Sequence, residues 1–174
     1  MSTSTDAPAA AAGGARAEIT VDSPLWDSTP SAETVVRAAI AAAGESMEAA
    51  EVSVVLTDDA AVRALNHRWR GINSATNVLS FPAARPAGED ESPNSAPSLL
   101  GDVVVAYETT AREAEAEGKP LLDHLSHLVV HGFLHLLGYD HESDAAAEEM
   151  EHLERTILAR LGLPDPYDVR DAAD

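Results

Sequence analysis

Residues 120–137 (PLLDHLSHLVVHGFLHLL) constrain the fold more than any other part of the chain. Apolar residues fall on nearly every side of a helix drawn through them: Leu121, Leu122, Leu125, Leu128, Val129, Val130, Phe133, Leu134, Leu136 and Leu137. A helix that is apolar all round belongs inside a domain. Histidines occupy what is left. At 100° per residue, positions 124, 127, 131 and 135 fall at about 0°, 300°, 340° and 20°, one narrow stripe. Buried imidazoles must be hydrogen-bonded, metal-bound or lining a cleft, because an unsatisfied buried polar group is costly.

His131 and His135 are spaced i, i+4, so both rings can reach one ion from one face. Gly138 can end the helix in a left-handed conformation, and that turn would return His141 toward the same ion. A lone His pair at this spacing is commonly a satisfied or surface pair. The turn glycine and a third His at this offset point instead to a metal site. Three neutral nitrogen ligands with one position open is the pattern of a hydrolytic zinc centre. One Zn ion suits the set, and Ni, Co or Cu would also bind it. The chain has no Cys, so thiolate ligands and disulfides are excluded. Binding needs neutral imidazoles, so metal should be lost as pH falls below about 6. His127 is the candidate catalytic or supporting group one turn earlier. His124 reads equally well as an ordinary edge residue.

The spacing HxxxHxxGxxH equals that of one metalloprotease superfamily, in which Glu follows the first His as general base. Here Gly132 stands in that place and cannot take a proton. Glu142 lies beyond the third ligand. A peptide-cleaving zinc hydrolase is therefore an alternative rather than the main reading. A second alternative is a non-catalytic protein with structural zinc, closed by Asp140 or a distant fourth ligand.

Around the histidine helix, alternation and turn residues predict strands at 17–22, 51–56, 77–81 and 101–107. Helices are expected at 34–43, from the Thr57-Asp58-Asp59 cap to Gly71, at 109–117, at 120–137 and at 142–161. The last presents Met150, Leu153, Ile157 and Leu161 on one face. With 174 residues and 45% hydrophobic content, these make one small α+β domain. The expectation is a four-stranded mixed sheet with about five helices and the zinc site at the end of a buried helix. Residues 1–16 read as a disordered tail, 17–163 as the catalytic domain and 164–174 as a frayed acidic tail. Residues 83–99, rich in Pro and carrying Glu89-Asp90-Glu91, read as a flexible acidic loop.

The net charge of −19 argues against an overall basic nucleic-acid surface. It leaves room for a local one. Arg63, Arg68 and Arg70 form a cationic cluster, with no acid anywhere from 60 to 82. Arg63 and Arg68 also fit ordinary solvated helix positions. Arg70 precedes Gly71 at the helix end, where its planar fork can reach a phosphate in an adjoining cleft. Asn77 and Ser80 would border that cleft or simply finish a strand. No secretion signal or bilayer-length apolar run is visible, so no membrane and a cytoplasmic location are expected.

HGFLHLLGYDHE at 131–142, LNHRWRGINSATNVLSFP at 65–82 and LGDVVV at 100–105 resemble the signatures of the YbeY family, in the family's order over about residues 50–162. The resemblance implies a bacterial metal-dependent endoribonuclease of small α+β fold. It implies His131, His135 and His141 as zinc ligands and Arg70 as a functional arginine. It also implies single-stranded RNA as substrate, maturation of the small-subunit ribosomal RNA 3′ end, ribosome quality control and the small ribosomal subunit as partner. Two departures stand out: Ala75 where the family often has Pro, and the long acidic loop at 83–99. The general base is open between His127, metal hydroxide and the ribose 2′-OH. Of the acidity, 140–174 holds eleven acids against Arg155, Arg160 and Arg170. Screening limits such charge to a reach of about 8 Å. Weak nonspecific RNA affinity is therefore expected, with specificity supplied by a partner or a single-stranded end.

Overall fold

The computed structural model describes residues 13–84 and 98–168. Its elements are β1 (Ala15–Val21), a 3₁₀ turn (Pro24–Ser28), α1 (Ala32–Ala43), β2 (Ala50–Thr57) and α2 (Asp59–Arg70). They continue with β3 (Val78–Pro82), β4 (Ser98–Ala106), α3 (Tyr107–Glu117), α4 (Leu121–Leu136) and α5 (Asp144–Arg160). The four strands form one sheet in the order β1-β2-β4-β3. β1 runs parallel to β2 and β2 to β4, while β3 runs antiparallel to β4. The expected mixed α+β architecture is observed.

Strand alternation sends side chains to two cores. Val52, Val54 and Leu56 of β2 and Val103 and Val105 of β4 face α1, α4 and α5. Val104 and Ala106 face the other way, onto Leu79 of β3 and Val62 of α2. Helix α4 lies in the larger core, where Leu125, Val129, Val130 and Phe133 are fully buried. Helix α2 covers the opposite side of the sheet, and residues 71–77 carry the chain around the edge to β3. Asp59 and Glu108 join α2 and α3 reciprocally. The Asp59 carboxylate accepts from the Thr109 N–H at 3.0 Å, and Glu108 accepts from the Asp59 N–H at 2.7 Å.

Three expected boundaries move. β1 begins at Ala15, inside the segment assigned to a tail, because pairing with Ala50 extends it. Ser98 and Leu99 belong to β4, pairing with Ala50 and Glu51, so the loop ends earlier than 99. The rest of the acidic loop, 85–97, lies outside the described residues, as does 1–12. At the other end, 163–168 folds back on α5, and 169–174 of the expected acidic tail lies outside the described residues. Tyr167 reaches back to α5 through its hydroxyl, and Arg155 pairs with Asp165 at 3.2 Å. No helix among the described residues is long and apolar enough to cross a membrane.

Candidate metal centre

Helix α4 runs to Leu136 and then unwinds through a glycine. Gly138 has φ +103, a conformation open to glycine and strained for other residues. Its N–H donates to the His135 carbonyl at 3.0 Å, and the Tyr139 N–H donates to the Leu134 carbonyl at 3.1 Å. The reversal returns His141 to the helix face, where its ring stacks on His131 with centroids 5.4 Å apart and sits 5.1 Å from His135. One nitrogen from each of His131, His135 and His141 lies within 4.8 Å of the others. The three predicted ligands are thus brought together by the predicted turn.

Their tautomers follow from their partners. His135 Nδ1 lies 2.9 Å from the Tyr139 carbonyl oxygen, which can only accept. His131 Nδ1 lies 2.6 Å from a carboxylate oxygen of Glu154. Both Nδ1 atoms therefore carry the hydrogen, and both Nε2 atoms present lone pairs. Those two Nε2 atoms face each other at 3.1 Å. Two lone pairs so placed repel unless a cation lies between them. The donor set fits a divalent ion. Among the described residues no fourth protein ligand joins the group. Asp140 accepts instead from the Glu142 N–H at 3.0 Å. An open set of three matches a catalytic centre better than a closed structural one.

Glu154 is the residue that sequence reasoning missed. It comes from α5, is fully buried, and gathers three donors. Oε2 accepts from His131; Oε1 accepts from His127 Nε2 at 3.0 Å and from the Tyr167 hydroxyl. Burial alone would raise its pKa. Hydrogen bonds from His127, His131 and Tyr167 outweigh burial and hold the carboxyl at about 2. Burial and the adjoining Glu154 charge push the Tyr167 phenol well above its ordinary value. Burial, and next the neighbouring His131, lower the pKa of His135 and so favour its metal-binding form.

His127 shares Glu154 with His131, and its ring centroid lies 6.3 Å from that of His131. Its buried Nδ1 has no hydrogen-bond partner. His124 is an anchored residue rather than a loose edge. Its Nε2 lies 2.8 Å from Glu113, whose same oxygen accepts from Asn77 Nδ2 at 2.9 Å. A cavity of about 860 Å³ opens beside the centre, lined in part by Asn77, Glu113, His124, His127, His131 and Tyr167.

Arg70 ends α2, and its guanidinium bonds Asn66 Oδ1 at 3.4 Å. It is not among the residues lining that cavity, and no bond joins it to the three histidines. Asn66 is itself buried and donates to the Ser74 carbonyl at 2.9 Å, fixing the turn into β3. Ser80 of β3 donates to the Gly132 carbonyl at 2.9 Å. Gly132 faces the sheet. A Cβ there would lie 2.8 Å from Val103 Cγ1 and 3.0 Å from Ser80 Oγ. The place of the protease general base is thus filled by strand side chains, and a Glu has no room in it.

Residues 22–162 match the family model described as endoribonuclease YbeY. A Bradyrhizobium sp. protein named endoribonuclease YbeY is 56% identical over 161 residues, covering 90% of this chain and 95% of its own length. A namesake from Bradyrhizobium diazoefficiens is 57% identical over 154 residues, covering 86% and 84%. Another, from Rhodopseudomonas palustris, is 56% identical over 158 residues, covering 88% and 93%. The family-model match over 22–162 and this extent of identity lead to one assignment: the chain belongs to the endoribonuclease YbeY family.

Proposed function

We propose that this protein is a metal-dependent endoribonuclease that cleaves single-stranded RNA at the three-histidine centre. Its role is maturation of the small-subunit ribosomal RNA 3′ end and ribosome quality control, in the cytoplasm and in contact with the small ribosomal subunit. The observation that carries the reading is the pair of opposed Nε2 lone pairs on His131 and His135, completed by His141 and left open on the fourth side. Zinc is the ion we assign. When bound, it supplies Lewis acidity at a phosphoryl oxygen and makes a water more acidic.

The chain's own residues hold and frame that chemistry. Glu154 and the Tyr139 carbonyl fix the two ring orientations. His127 acts on the centre through Glu154, which it shares with His131. Arg70 binds a phosphate of the strand and stabilises charge that develops there. The test is cleavage of single-stranded and duplex RNA by purified protein, with and without a chelator. His135→Ala should abolish metal-restored cleavage, and Arg70→Ala should lower kcat/KM. Full activity in both variants would overturn the assignment. Co-sedimentation with small ribosomal subunits tests the partner.

A further inference from the structure

Residues 60–82 carry Arg63, Arg68 and Arg70 and no acid, in a chain of net charge −19. None of these three guanidiniums pairs with a carboxylate among the described residues, whereas Arg37, Arg112, Arg155 and Arg160 all do. Arg63 and Arg70 bond the neutral amides of Asn73 and Asn66, which fix the side chains but leave the positive charge uncompensated. Between Arg68 and Arg70 in the sequence, Trp69 is 62% exposed. The other tryptophan, Trp26, is a core residue, 3% exposed, with its ring N–H on the Thr57 carbonyl at 2.8 Å. Arg68 stands over the Trp69 ring, its Cζ 5.3 Å from the centroid, in a cation–π contact, and Ile72 nearby in sequence is 43% exposed.

An exposed indole stacked by a guanidinium that no carboxylate pairs suits a ligand with flat faces and an anionic backbone. An unpaired nucleotide offers both. A duplex hides its base faces, and an apolar protein surface gains nothing from the free cations. The outer strand β3 lies between α2 and the histidine helix α4. Leu79 packs with Val62 of α2 on one side, and Ser80 bonds Gly132 of α4 on the other. We propose that Trp69 is a stacking platform for an unpaired base of the RNA strand, with Arg63 and Arg68 drawing its phosphates. The proposal rests on the endoribonuclease reading and gives that reading a source of strand selectivity.

Tryptophan fluorescence tests it, because Trp26 is shielded and Trp69 is not. The probe is a short 2′-O-methyl single-stranded oligoribonucleotide, titrated into the full chain. It should quench the emission, while the matching duplex and inorganic polyphosphate should not. Anisotropy of the labelled probe should show Trp69→Ala binding roughly 5- to 150-fold more weakly, the span of base–aromatic stacking. Trp69→Phe should keep most of the affinity and lose the quench. Wild-type affinity in Trp69→Ala, or equal quenching by polyphosphate, would overturn the proposal and leave a protein contact or plain charge attraction. His135→Ala should retain the quench while losing cleavage. Quenching by the oligonucleotide with no RNA cleavage under any divalent metal would sink the nuclease reading and leave the stacking surface standing.

Discussion

The buried carboxylate of Glu154 accepts the Nδ1–H of His131 at 2.6 Å, so a residue of α5 sets the orientation of a candidate metal ligand on α4. A carboxylate behind a ligating imidazole fixes its tautomer and raises its basicity. Glu154→Gln keeps the shape and removes the charge. Metal affinity should fall about 10- to 100-fold, the usual cost of losing such a partner. Calorimetric titration with zinc checks this, with circular dichroism confirming the fold. Wild-type affinity in the variant would separate Glu154 from the centre.

Acid should weaken the metal-free protein in two stages. The folded state lowers the pKa of His135 below 6.5, chiefly through burial. As pH falls past 6.5 the unfolded chain takes up a proton that the fold resists, so stability declines. Glu154 has the same sign at lower pH. Its contribution is whole above about 4.5 and is lost as pH falls from there toward about 2. Thermal unfolding of chelated protein across pH should show both declines. The rise in Tm on adding zinc should shrink below about pH 6, where imidazoles protonate. A zinc effect as large in acid as at neutrality would count against the three-histidine site.

What was legible in the sequence was local. The stripe at 124, 127, 131 and 135 needs only the helical repeat, and the return of His141 needs only Gly138. Glu154 was hidden because its partners come from α4 and from Tyr167, which no local pattern links to it. A signal did exist. Glu154 falls four residues after Met150 and three before Ile157, on the buried face of α5, where a carboxylate must find donors. Reading that face as purely apolar passed over it. Composition misled at the C-terminus, where acidic residues suggested fraying. Asp165 accepts from the Tyr167 N–H at 2.8 Å and pairs with Arg155, so these charges shape a turn. Strand order was not legible, since pairing β2 with β4 across the intervening α2 and β3 is a long-range outcome.

Gly132 is where the fold leaves no room for the glutamate that the protease-like pattern places there. An alanine Cβ would press on Val103 Cγ1, and Val103 is fully buried in β4. Overpacking of this kind costs about 1–3 kcal/mol. Better helix propensity returns up to about 1 kcal/mol, so a net loss should remain. Gly132→Ala should therefore lower stability in denaturant titrations. In a Val103→Ala background the same change should cost less, with a coupling of at least about 0.5 kcal/mol. Additive effects would show that the helix does not depend on this close approach.

Tyr167 fastens the C-terminal segment to the centre, and Tyr167→Phe isolates how. The ring keeps its contact with His127, at 5.5 Å between centroids, and with the Arg155 guanidinium at 5.4 Å. Only the hydroxyl that donates to Glu154 is removed. A hydrogen bond to a charged group contributes about 1.5–3 kcal/mol. For a domain of this size that corresponds to a fall in Tm of roughly 3–12 °C. Glu154 would then hold its charge with two donors instead of three, so its pKa should rise and the acid decline should begin at higher pH. Combining Tyr167→Phe with Glu154→Gln should show non-additive losses, because both act on one bond. Unfolding of Tyr167→Phe at the wild-type temperature would mean that the segment lies against α5 without holding the carboxylate in place.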